Sequence, residues 1–183
     1  MKWALNIFAV VFLACGSESV FAQAAKPDAS LSIQPKQIKI KVGQEFSVKV
    51  EVQKVQDLFG APFYLLYDPK LLDVLKVTQG DFLKKDGKKT AFLFRADKPK
   101  GKIIVGLTRL GPVGGMEGEG TLVVVVFKAL QAGHANLTFD RVEFKDSHLT
   151  TIPLRIQTGS IDVAKPGEKG KDKKNPEIPG TGP

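Results

Sequence analysis

The side chains that could do chemistry are few. Only two histidines occur, His134 and His148, and one cysteine, Cys15. A single thiol makes no disulfide framework and no Cys-rich metal site. Two histidines leave little for a His-based metal cage or a His-driven triad. His148 follows Asp146-Ser147, but a Ser, a His and an Asp adjacent in sequence are not a triad, because triads assemble in space. Glu117 and Glu119 lie in a Gly-rich stretch, where nothing builds the pocket that would raise a carboxyl pKa for acid catalysis. That stretch, Gly111 to Thr121, lacks the Gly-Lys-Ser/Thr ending of a phosphate loop and reads as a connection between strands. Asp68, in Tyr-Asp-Pro, reads as a turn closed by backbone amides. Calcium at Asp57 or Asp68 lacks a dense Asp/Asn ligand loop. These residues point to a non-catalytic chain with no cofactor or metal.

Charge is the other candidate chemistry. The chain of 183 residues carries 27 Lys+Arg against 19 Asp+Glu, a net +8. The densest cluster, Lys84-Lys85-Asp86-Gly87-Lys88-Lys89, reads as a solvated hairpin tip. Nucleic-acid binding would interleave aromatics as stacking platforms. Phe92 and Phe94 follow the cluster but share one strand face, which fits core, so a nucleic-acid partner is not expected.

The elements that position these residues are strands. Phe46, Val48, Val50 and Val52 alternate with Glu45, Ser47, Lys49, Glu51 and Gln53, giving one dry and one wet face. Ile38 and Ile40, then Ala135, Leu137 and Phe139, then Val142 and Phe144 repeat the pattern. Much of the positive charge is therefore the wet side of strands. Turn signals at Gly43, Asp68-Pro69, Asp86-Gly87, Pro99-Lys100-Gly101, Gly133 and Gly159 separate the runs. Short strands spaced by turns predict an all-β antiparallel sandwich or jelly roll. One helical turn is expected at Pro69 to Leu75, with Asp68 as cap. Two runs, Leu122 to Phe127 and Phe63 to Tyr67, are apolar on both faces. Each is either a central strand covered on its second side or a flat docking face.

The ends differ from the middle. Residues 1–22 carry Lys2, an apolar run from Trp3 to Ala14, and small residues at Val20 and Ala22, the pattern of an export signal cut before Gln23. Phe12-Leu13-Ala14-Cys15 supports a second reading, a lipoprotein signal ending before a lipidated Cys15. The apolar run falls short of the ~20 residues of a membrane-spanning helix, so no transmembrane span is expected in the mature chain. Residues 164–183 hold four Pro, four Gly and five Lys, and read as a disordered tail or tether. The expected domain is 30–163. It is exported, extracellular or periplasmic, and lipid-anchored to the envelope if Cys15 is modified.

The series Val42-Gly43-Gln44-Glu45-Phe46, Leu58-Phe59-Gly60-Ala61-Pro62-Phe63 and Tyr67-Asp68-Pro69-Lys70-Leu71-Leu72 resembles the cohesin domain. So do Gly80-Asp81-Phe82-Leu83, Gly118 to Leu122, Phe127-Lys128-Ala129-Leu130 and Gly133, over about residues 31–163. The resemblance implies a nine-stranded jelly-roll sandwich of the cohesin and carbohydrate-binding-module type. It also implies a non-catalytic role, holding a dockerin-bearing protein on one flat sheet face. In scaffold-type cohesins, polar dockerin contacts precede the Tyr-Asp-Pro turn. Here the matching positions are Gly60 and Pro62, and an acidic contact in a later strand falls on Arg109. These departures argue against a conventional dockerin and leave the fold untouched.

If Phe63, Leu65 and Tyr67 point inward, then Gly60, Pro62, Tyr64 and Leu66 point outward. Tyr64 beside Leu66 makes an aromatic anchor, with Arg95 and Arg109 as polar rim. The expected partner is a dockerin-bearing, cell-envelope or secretion-system protein. The alternative is a carbohydrate-binding module that acts on polysaccharide. It is weakened because Trp3 lies in the signal and the domain holds only Tyr64 and Tyr67 beside its phenylalanines.

Overall fold

The computed structural model describes residues 27–165; the segment read as an export signal, with Cys15, and the residues read as a tail beyond 165 lie outside the described residues. The strands are β1 (Ser30–Gln34), β2 (Gln37–Lys41), β3 (Glu45–Leu58), β4 (Phe63–Leu66), β5 (Leu72–Gln79), β6 (Thr90–Asp97), β7 (Lys102–Arg109), β8 (Met116–Ala129), β9 (Gly133–Asp140), β10 (Arg155–Gln157) and β11 (Gly159–Ala164). They form two sheets, ordered β10-β1-β3-β8-β5 and β2-β11-β9-β4-β7-β6. Among the described residues, no helix is long and apolar enough to cross a membrane.

The eleven strands agree with the nine-stranded jelly roll once two crossings are understood. β1 and β2 are one stretch of chain broken at Pro35-Lys36, where proline has no N–H to continue a ladder. β10 and β11 are likewise one stretch broken at Thr158. Both stretches pass from the first sheet to the second, and they pair with each other in parallel on both sides of the break. All other pairings are antiparallel.

The core lies between the sheets and follows pleat parity. Val48, Val50 and Val52 of β3 have no exposure, and Phe63 and Leu65 of β4 face them from the other sheet with 1% or less. Parity then switches along β3: Val55 and Leu58 are also buried, although Val52 to Val55 is an odd step. The register slips at both places, and Lys54 (φ 53°) and Asp57 (φ 51°) adopt left-handed backbone there. Each bulge adds one residue and restores the inward side chain.

The doubly apolar β8 is a central strand, between β3 and β5. Its outward Val124 has Lys49 and Thr78 opposite it, and Val126 has Ser47 and Lys76. Both valines are only partly exposed, flanked by side chains of the neighbouring strands. The helical turn expected at Pro69 to Leu75 forms at Pro69 to Leu71, with Asp68 as its cap, and goes no further. The Asp68 carbonyl accepts N–H bonds from both Leu71 and Leu72, and its carboxylate accepts the Lys70 N–H, which closes a turn. From Leu72 the chain is strand, because Leu72, Val74 and Val77 bury themselves in the sheet beside β8.

Candidate docking face

The outer face of β9-β4-β7-β6 collects the outward residues singled out above. In β4 the pattern is buried, half-buried, buried, half-buried, so Tyr64 and Leu66 do point out. Register places Asp140 and Ile104 on either side of Tyr64, and Arg95 beyond Ile104. The four side chains make one row across four strands. Leu66 sits in the next row, between Thr138 and Lys102. The Tyr64 ring lies under two cations, with Lys102 Nζ at 5.1 Å and the Arg141 guanidinium at 5.6 Å from its centre. Such contacts hold a half-exposed ring in one place. Tyr67, by contrast, is 6% exposed and packs edge-on to Phe127 at 5.4 Å; burial pushes its hydroxyl pKa up. An aromatic row for sugar stacking is therefore missing from this face among the described residues.

Beside Tyr64 lies an apolar groove of about 340 Å³, lined by Phe59, Gly60, Pro62, Leu93, Gly106 and Leu149 among others. Gly60 and Gly106 leave its floor without side chains. Leu93 and Leu149 stand up at its walls, 75% and 69% exposed. Lys145 adds a cation at the rim. Gly60 and Pro62 thus contribute shape and apolar surface to the face. Arg95 is exposed on it.

Arg109 does not belong to this face. It is 3% exposed and shares the inward parity of Ile103, Val105 and Leu107. Its guanidinium donates to the Leu83 carbonyl (2.6 Å) and, through both terminal nitrogens, to the Asp86 carboxylate (3.1 and 2.6 Å). Arg109 is a structural post under the Lys84–Lys89 segment. That segment is exposed as expected, but it is not a hairpin tip: it crosses from β5 of one sheet to β6 of the other and is tethered from below, with Phe82 and Leu83 buried at its start.

The family model described as Cohesin domain matches residues 31–163, more than half of the chain. The chain belongs to the cohesin family. Among solved structures it is similar to a non-cellulosomal cohesin from the archaeon Archaeoglobus fulgidus, at 19% identity and TM-score 0.64 over 76% of this chain and 92% of that one. A cohesin in a type I cohesin–dockerin complex from Clostridium thermocellum matches at 18% identity and TM-score 0.63, over 78% and 99%. The seventh ScaB type I cohesin of Pseudobacteroides cellulosolvens matches at 25% identity and TM-score 0.63, over 77% and 96%. Comparison with curated proteins gives no match.

In this cohesin one cluster of ionisable groups went unread in the sequence. Asp57, Asp146 and His148 bring ligand-type atoms within 4.8 Å of one another. Their hydrogen bonds show what they do. Asp57 Oδ1 accepts the Gly115 N–H (2.6 Å), and Oδ2 accepts both the N–H (3.2 Å) and the hydroxyl (2.6 Å) of Ser147. Asp146 Oδ1 accepts the N–H of His148 and of Thr150. Asp57 thus pins two loops to the end of β3, and Asp146 closes the turn within one of them. The Ser147 hydroxyl and Asp57 both meet His148 at Nδ1, at 3.4 and 3.7 Å. A triad needs them on opposite ring nitrogens. The clamp matters to the docking face because the loop it pins carries Lys145 and Leu149 to the groove. A second pair, His134 Nδ1 and Asp162 Oδ1 at 2.7 Å, is exposed across β9 and β11; hydrogen bonding to Asp162 raises the His134 pKa.

These contacts set an acid limit. The Ser147 hydroxyl holds the Asp57 carboxyl below the usual carboxylate range, with the Gly115 and Ser147 amides adding to it against a burial penalty. The Arg109 guanidinium does the same for Asp86. A carboxyl depressed in the folded state contributes stability that is present above its unfolded pKa and lost as pH falls through the folded value. The thermal midpoint is therefore expected to fall from about pH 4 downward. An Asp57→Asn, Asp86→Asn double variant starts lower at neutral pH and shows a flatter acid limb. Thermal melts followed by circular dichroism across pH check this; parallel limbs would count against the assignment.

Proposed function

We propose that this cohesin is an exported, non-catalytic docking module that holds a protein partner on the outer face of β9-β4-β7-β6. The observation that carries the reading is the pairing of a fixed aromatic anchor with a preformed apolar groove. Tyr64 is steadied by Lys102 and Arg141, and the groove opens beside it between Leu93 and Leu149. Interface centres are built of aromatic anchors and dry pockets rimmed by polar groups. Gly60 and Pro62 give this face hydrocarbon where a conventional dockerin would meet polar side chains, so the partner is a dockerin-like or cell-envelope protein that brings an aliphatic side chain to the groove. Export rests on residues 1–22, and anchoring on whether Cys15 is lipidated or removed.

The test is steric. Gly106 faces outward, and a Cβ there meets nothing closer than the Leu93 carbonyl at 4.0 Å. Gly106→Arg fills the groove without disturbing the sheet. The native domain is expected to retain a protein from the secreted and envelope fractions of its source cells, and Gly106→Arg to lose about nine-tenths of that retention while melting at the same temperature. Retention of a polysaccharide with no protein, or equal retention by both forms, would overturn the proposal.

A further inference from the structure

We propose a second interaction surface, adjoining the docking face and sharing Leu93 and Arg95 with it: the open edge of β6, which takes an extended, acidic protein segment as an added strand. Four strands stand at sheet edges: β10, β5, β2 and β6. An open edge presents unpaired N–H and C=O groups, and proteins ordinarily blunt it. Three of these edges are blunted. β10 has three residues. β5 carries a bulge between Val74 and Lys76. β2 has five residues, follows Pro35, and places Lys39 and Lys41 along its length.

β6 has none of these devices. Its eight residues, TAFLFRAD, pair with β7 in unbroken register from Thr90 to Asp97. It contains no proline, no lysine and no bulge. The Leu110 N–H bonds to the Lys89 carbonyl, so Ala91, Leu93, Arg95 and Asp97 share that phase and turn their backbone groups to β7. Thr90, Phe92, Phe94 and Ala96 turn theirs to the open side. The edge is also apolar: Phe92 packs only partly on the core, and Phe94, read above as core, is 49% exposed because no strand covers its side; Leu93 is 75% exposed, and Phe92 and Phe94 lie against each other at 5.7 Å.

Charge selects the occupant. Lys88 and Lys89 at one end of β6, and Arg95 along it, have no ion pair among the described residues. A guest strand with carboxylates at its ends meets these cations while its apolar residues cover Phe92 and Phe94. A second copy of this chain does not fit. Two-fold antiparallel pairing of β6 with itself would bring Lys88 and Lys89 of each copy against the Lys98-Pro99-Lys100 turn of the other, where the nearby carboxylates of Asp73 and Asp97 are already paired with Lys98 and Lys100.

The experiment uses the full chain and a synthetic peptide with a central Val-Thr-Val-Thr-Val run and two Glu at each end. Amide exchange is followed by NMR. In the free protein the Leu93 and Arg95 amides are expected to exchange slowly and those of Phe92, Phe94 and Ala96 fast. The peptide is expected to slow the latter three by about tenfold or more. The same peptide N-methylated at alternate residues should protect none of them, and a Lys-ended version should bind about tenfold more weakly. Phe94→Pro removes an N–H that the β6–β7 ladder does not use, and should cut affinity about tenfold with the Leu93 and Arg95 amides still slow. If the variant does not fold, the N-methylated peptide decides. The proposal fails if the peptide leaves the three amides fast, if the Lys-ended peptide binds as well, or if self-association alone protects them. Protection around Tyr64 with none at β6 would also overturn it, and would leave the docking-face reading standing.

Discussion

Gly101→Ala is expected to destabilise the domain by about 3 kcal/mol, the sum of a left-handed backbone cost and an overpacking cost. Gly101 ends the turn between β6 and β7 with φ at 59°. A Cβ there would lie well inside contact distance of the Tyr67 carbonyl oxygen and 2.7 Å from Pro69 Cδ. Neither neighbour can yield cheaply, because one is backbone and the other a ring. The Tyr67 N–H also donates to the Gly101 carbonyl at 2.8 Å, so the two chains are locked at the point where β4 ends. Gly87 is the control. Its φ is 76°, but nothing lies within 4 Å of a Cβ placed on it. Gly87→Ala should then cost only about 1 kcal/mol, the conformational part alone. Urea unfolding of both variants reads the difference. Equal losses would mean that the approach of Gly101 to Tyr67 carries no strain.

How far the sequence specified this molecule can be followed through single residues. Inward Phe63, Leu65 and Tyr67, outward Tyr64 and Leu66, and the sandwich itself all follow from a period of two. Arg109 shows what happens when likeness and period disagree. Alignment by motif places it among docking contacts, but Ile103, Val105 and Leu107 already assign its parity to the inner face. The period wins, because a side chain cannot change face without a bulge and β7 has none against β4 or β6. What made an inward arginine tolerable was Asp86, 23 residues away, and no local pattern announces that partner. The Asp57 clamp was hidden for a similar reason. It depends on left-handed backbone at Lys54 and Asp57, neither of which is glycine, and on loops that approach only once the sheets have closed. The groove is a product of the same closure: Leu93 and Leu149 become neighbours through the fold. The segment after Pro69 divides. Its turn forms at Pro69 to Leu71, but from Leu72 pairing with β8 satisfies more backbone and buries Leu72, Val74 and Val77.

Phe63 and Tyr64 are adjacent, and their substitution should have opposite consequences. Phe63 is 1% exposed and sits 5.7 Å from Phe139 and 6.4 Å from Phe144, so Phe63→Ala opens a cavity worth about 3–5 kcal/mol. Phe63→Leu keeps most of that volume and should cost about 1–2 kcal/mol, leaving the outer face in place. Tyr64→Ala removes no core contact. It loses the packing beneath Lys102 and Arg141, about 1 kcal/mol, and the domain stays folded. If Tyr64 is the centre of the docking face, however, partner binding should weaken by about 30-fold, the loss expected at a central aromatic anchor. Binding by Phe63→Leu, measured well below its melting temperature, should stay within about threefold of the native domain. Surface titration against the retained protein, beside urea unfolding of all three variants, separates the two roles. Should Tyr64→Ala bind normally while Phe63→Leu does not, the partner is sensing the integrity of the sandwich and the docking face lies elsewhere on it.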